Sequence, residues 1–173
     1  MVFARRKLAI QDKVYHPRRQ IKLSYSGKMS NDMYDFIRNL LEKSYMVPEE
    51  DIQEKSFETK KLDGGEKVGV KWELVKDMDR FSYIRVTVGA TITTVKGNGN
   101  VSVILDPVLR TEYPQDSVWQ RSVFYEFMRM LWHRAFYADK REDYLAEGRE
   151  MTNNFVKTMR AKFDEMSSAK KIS

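Results

Sequence analysis

The side chains with the clearest chemistry are cations. Residues 1–28 hold Arg5, Arg6, Lys7, Lys13, Arg18, Arg19, Lys22 and Lys28 against the single carboxylate Asp12. His16 adds an imidazole, and the aromatic rings of Phe3 and Tyr15 are interleaved. Guanidinium groups fork onto phosphates, ammonium groups neutralise them, and aromatic rings stack on unpaired bases. The expected partner is therefore a polyanion, and structured RNA fits best. The competing reading is a solvated terminus or a targeting sequence. A second group is aromatic: Trp119, Phe124, Phe127 and Trp132, with His133 beside them. These residues suit a cavity wall or a partner surface, although core packing against a sheet is the commoner use of such rings.

Little else supports catalysis. His133 has no adjacent nucleophile and no carboxylate to orient it, so a general-base role is not expected. The chain has no cysteine and two histidines, which removes thiolate nucleophiles, disulfides and the usual zinc ligand sets. No metal and no cofactor are expected. Glu49, Glu50 and Asp51 read as a solvated acidic turn. The glycines at Gly97 and Gly99 lack the lysine and following helix of a phosphate loop, so a hairpin is expected there.

These groups need a scaffold. The chain has 173 residues, of which 42% are hydrophobic and 32% charged, with a net charge of +6. That is one domain with enough apolar material for a core, which excludes disorder along its length. The net charge is unevenly spread. Residues 157–173 carry five cations against Asp164 and Glu165, whereas residues 29–156 carry 18 basic and 22 acidic side chains. A mildly acidic body thus stands between two basic ends. No secretory leader opens the sequence, and no run approaches the roughly 18 apolar residues of a membrane span. A soluble cytoplasmic protein without membrane contact is expected.

The pattern divides the chain into a basic extended arm (1–19), a single α+β domain (20–166) and a basic tail (167–173). Pro17 opposes a helix in the arm. Residues 20–26 alternate as a half-buried strand, and Ser30 is placed to cap a helix over 31–46. A loosely patterned strand is assigned to 52–62. Strands over 67–76 and 81–95 follow, the second with Ile84, Val86, Val88, Ala90 and Ile92 inward and a bulge expected at Gly89. The run Gly97-Asn98-Gly99-Asn100 is expected to form the next hairpin turn, since Asn-Gly tolerates the positive φ that type I′ requires. Strand 101–105 extends past Pro107 to 108–113. A wide apolar helix, capped by Ser117, runs to about 138. A break is expected at 139–143, and a last helix carries Tyr144, Met151, Phe155, Met159 and Phe163. Gly148 weakens that helix by about 1 kcal/mol relative to alanine.

Strand, helix, antiparallel meander and long C-terminal helix, in that order, resemble the helix-grip domains of the START-like (SRPBCC) superfamily over roughly residues 19–166. The resemblance implies a curved antiparallel sheet packed on the long C-terminal helix. The superfamily has six strands after its first helical region, where four or five are counted here. It usually ends on the long helix, where a second helical segment follows here. Some members hold an apolar ligand between sheet and helix, some are cyclases or hydrolases, and some are interaction modules. A basic arm on such a domain looks like what a ribosome-associated archaeal member needs. The expected function is thus a non-catalytic RNA-associated protein, ribosomal or ribosome-associated, held to rRNA and to neighbouring subunits. The alternatives are a carrier of a small apolar ligand or lipid, a cyclase-like enzyme, and a protein adaptor using the wide helix.

Overall fold

The computed structural model describes residues 8–16, 20–29, 32–113 and 123–168. Six strands form one antiparallel sheet: β1 Leu8–Lys13, β2 Ile21–Lys28, β3 Gln53–Leu62, β4 Gly65–Asp77, β5 Ser82–Val95 and β6 Asn98–Tyr113. Helix α1, Met33–Tyr45, follows β2, and a 3₁₀ turn at Glu49–Asp51 leads into β3. The last helical stretch comprises α2 Val123–Trp132, a π-helical segment His133–Tyr137 and α3 Ala138–Ser168. The α+β class, an antiparallel sheet with a long C-terminal helix, is as the sequence implies.

Strands β3 to β6 form a meander, and both β1 and β2 pair with β6. Strand β2 covers residues 98–105 of β6, and β1 covers residues 108–113. They act as one interrupted strand along a shared edge. The interruption meets Pro107. The Pro107 carbonyl accepts a hydrogen bond from the Val14 amide at 3.3 Å, so this side of Pro107 faces the gap. A strand residue points its N and its carbonyl to the same side, so the missing proline donor also faces the place where no ladder bond is required. This is how β6 runs unbroken through a proline.

One sheet face is buried. Trp72 and Leu74 of β4, Ile84, Val86 and Val88 of β5, and Val103, Leu105 and Leu109 of β6 meet Phe155 and Met159 of α3 and Ile37 and Leu41 of α1. The alternation on β5 is the one expected. Gly148 of α3 is buried against the body. A Cβ there would stand 2.8 Å from Ile84 Cδ1 and 3.4 Å from Val14 Cγ2, so any side chain at this position needs the end of Ile84 to shift. Tyr45 of α1 and Thr152 of α3 share a buried hydroxyl hydrogen bond of 2.9 Å.

Several expectations are corrected. Residues 8–16 are not a free arm: β1 is part of the sheet and Val14 is fully buried. An alternation too short and too charged to register as a strand gains its stability from the β6 edge. Gly89 makes no bulge, since pairing is continuous through Lys71, Gly89 and Ile104. The irregularity lies in β3, between Glu54 and Ser56. The hairpin turn is Lys96-Gly97, with φ of 49° and 80°, rather than Asn98-Gly99. Both turn residues then have positive φ, the requirement of a type I′ turn, and glycine meets it at one of them. Residues 139–143 are helical, and the irregular turn is the π segment before them. Helix α1 has Asp32 at its N-cap position. The expected caps Ser30 and Ser117 lie outside the described residues.

Candidate nucleic-acid interface

The other face of the sheet is polar. Residues directly opposite each other share a face, so the register writes its layout. One row across the strands reads Lys22, Ile104, Gly89, Lys71 and Ser56. The next reads Ser24, Ser102, Thr91, Gly69 and Glu58, and the third Ser26, Asn100, Thr93, Lys67 and Lys60. Lys28 opens the row after that. The floor is thus glycine, hydroxyl and amide, with lysines at both margins. A Cβ added at Gly69 or Gly89 would meet nothing within 4 Å, so the centre is open.

The two ends of this face differ electrostatically. Toward one end three charges on the face are paired, Lys13 with Asp106 at 3.8 Å, Arg110 with Glu112 at 2.9 Å and Lys55 with Glu73 at 3.5 Å, while Arg85 there has no ion pair among the described residues. At the other end, Lys22, Lys28, Lys60, Lys67 and Lys71 have no ion-pair partner among the described residues. Lys60 and Lys67 stand directly opposite each other, a like-charge pair that lowers sheet stability.

The expected RNA contacts are therefore dispersed. Lys22 and Lys28 lie exposed on the open face, and Lys13 lies at its paired end. His16 is exposed in the bend after β1. Tyr15 is turned to α3, with its hydroxyl 2.5 Å from Asn153 Oδ1 and 3.1 Å from the Arg149 carbonyl. Arg149 Nε in turn donates to the Val14 carbonyl at 2.9 Å. Arg5, Arg6, Lys7, Arg18 and Arg19 lie outside the described residues. Lys60, Lys67 and Lys71 were missed as site residues. Their signal is the shared parity of 67, 69 and 71, a polar run with glycine at its centre, but it gains meaning only once β2 and β4 are in register.

The aromatic helix is the larger surprise. The expected packing of α2 on the sheet does not occur. Phe124, Phe127, Met128, Met130, Leu131, Trp132 and Phe136 are all exposed, Phe136 at 73%. Arg129 is buried and lies over the Tyr113 ring at 5.4 Å. Trp132 stacks on Tyr137 at 5.1 Å and meets Tyr113 edge-on at 6.4 Å. Phe81, Tyr113, Tyr125, Met128, Arg129 and Trp132 line an open pocket of about 370 Å³. Trp119, and the side chain of His133, lie outside what is described.

A polar brace holds this helix to the body. Asp79 accepts from the amides of Phe81 and Ser82, both at 2.8 Å, and from Tyr137, Tyr144 and Lys140 at 2.8, 3.0 and 3.1 Å. Buried Arg141 donates to Thr111 and to Asp12 of β1. Because ionised Asp79 only accepts, it takes the Tyr137 proton and the hydroxyls run one way: Thr111 to Ser82, Ser82 to Tyr137, Tyr137 to Asp79. Burial alone would raise Asp79. The hydrogen bonds from Phe81, Tyr137, Lys140 and Ser82 together outweigh it and hold the carboxyl at about 2. Burial, with the Asp79 charge, pushes Tyr137 up to about 12 against the hydrogen bond from Ser82. The brace joins β1, β5, β6, the π segment and α3.

Among the described residues no group of three acidic or histidine side chains is placed to hold a metal ion, and no helix is long and apolar enough to cross a membrane. No protein-family model matches the chain, and no curated protein matches its sequence.

Proposed function

We propose that this chain is a non-catalytic RNA-associated protein, a subunit of a ribonucleoprotein such as the ribosome. The observation that supports the reading is the set of five lysines on one sheet face, without carboxylate partners among the described residues. Close cations left unpaired repel one another, and a polyanion removes that repulsion while releasing its own counterions. The first segment lies beside the last strand of the meander, and α3 closes the buried face. That order supports the helix-grip resemblance. Trp72, Phe155 and Met159 are buried to 1% exposure or less between sheet and helix, which weighs against an apolar ligand held there.

A second contact is proposed for α2, whose exposed apolar surface suits a neighbouring protein subunit better than solvent. Sucrose-gradient sedimentation of the native protein tests the assignment. Migration with RNA-containing particles at low salt and release at high salt is expected. Sedimentation as free protein at every salt concentration would overturn it.

A further inference from the structure

Resting on that RNA reading, we infer that the outer sheet face binds double-helical RNA across its minor groove, with the β2 lysines on one strand's phosphates and the β3 and β4 lysines on the other's. Three features select this occupant. The first is charge. Lys22 and Lys28 lie on one margin and Lys60, Lys67 and Lys71 on the other, with Glu58 the one carboxylate in these rows. Between the β2 and β4 margins lie three strand spacings, about 14 Å, and between β2 and β3 about 19 Å. Two separated lines of cations match two phosphate chains better than one.

The second feature is the floor. Ser24, Ser26, Ser102, Thr91, Thr93 and Asn100 supply hydroxyl and amide groups that both donate and accept. The A-form minor groove is wide and shallow and displays 2′-hydroxyls, which need such partners. The open glycines at positions 69 and 89 let the sugar edge approach the backbone. The third feature is what the rows contain in place of rings. Single-strand binders stack bases on aromatic side chains, and every position of these three rows is non-aromatic. Ile104 is their one large apolar residue.

The test is equilibrium binding of the full chain to three probes of one sequence: duplex RNA, duplex DNA and single-stranded RNA. Duplex RNA is expected to bind at least about tenfold more tightly than either of the others. The K22Q/K71Q double variant, which removes one lysine from each margin, should reduce the slope of log K against log salt by about 2. The T91V/S102V variant keeps every charge and suits a strand. It should erase the preference for RNA over DNA while leaving the salt slope unchanged. Circular dichroism melts verify that each variant folds. Equal binding of duplex RNA and duplex DNA would overturn the inference, as would a single-strand preference. Variants that bind as the parent does would place the RNA contact elsewhere, sinking this inference while the RNA reading stands. A parent chain that binds none of the probes or particles would sink both.

Discussion

Asp79 accepts hydrogen bonds from five donors, and that makes it a measurable switch for stability. Its folded pKa of about 2 lies below the ordinary 3.8. A depressed carboxylate stabilises the fold above its unfolded pKa and loses that contribution as pH falls through the folded one. The window is therefore pH 4 to 2, and the contribution at pH 7 is about 2 kcal/mol. Asp79→Asn should lose that amount at pH 7, and the difference from the parent should close by pH 2. Urea denaturation across this range measures it. A gap that stays constant with pH would mean that Asp79 acts by shape alone. Gly148 makes a second claim at this scale. Gly148→Leu forces side-chain atoms into Ile84 and Val14, so overpacking should cost about 3 kcal/mol despite the better helix propensity of leucine. An equilibrium melt no lower than the parent's would show that α3 can move off the sheet without loss.

At the scale of elements, legibility followed burial. Strand β5 packs one face on α3 and α1, so its period of two is written in Ile84, Val86, Val88, Ala90 and Ile92. Strand β3 is an edge with every residue exposed, so nothing forces an alternation on it and its pattern is faint. Helix α2 misled for the opposite reason. Its apolar residues have the composition of a core helix, yet they face outward while Arg129 faces in. Composition reports that a surface will be covered, and says nothing of whether this chain or another covers it. The π segment left no trace at all, because one extra residue per turn changes neither composition nor charge. The exposed placement is testable by stability alone. Phe124→Ser and Phe127→Ser should each change the unfolding free energy by no more than about 0.5 kcal/mol, as surface positions do. Phe155→Ala, at a fully buried site, should cost about 3–5 kcal/mol. If the α2 variants lose as much as Phe155→Ala, the helix belongs to the core.

At the scale of the whole molecule, the basic N-terminal segment overlaps the folded body, since Leu8–Lys13 is a strand of the sheet. Its cations were legible because they cluster in sequence, but the boundary between arm and body was not. Leu8 to Lys13 become a strand only through β6, about a hundred residues away in the chain, and the Lys60, Lys67 and Lys71 margin becomes a site only through β2. Local pattern cannot record either pairing. The division predicts that two truncations will behave differently. Removing residues 1–7 takes Arg5, Arg6 and Lys7 and leaves every strand intact, so the melting temperature should hold. If those cations contact RNA phosphates, the salt slope of binding should fall by about 3. Removing residues 1–16 also takes β1, buried Val14 and Asp12, and leaves the Arg141 guanidinium buried without its carboxylate. The cut thus removes a whole strand ladder, a fully buried valine and the partner of a buried guanidinium together. The longer truncation should therefore unfold at markedly lower urea concentration, and its loss of RNA binding would report unfolding as well as lost charge. Equal stability of the two truncated chains would return β1 to the arm and confine the body to residues from 20 onward.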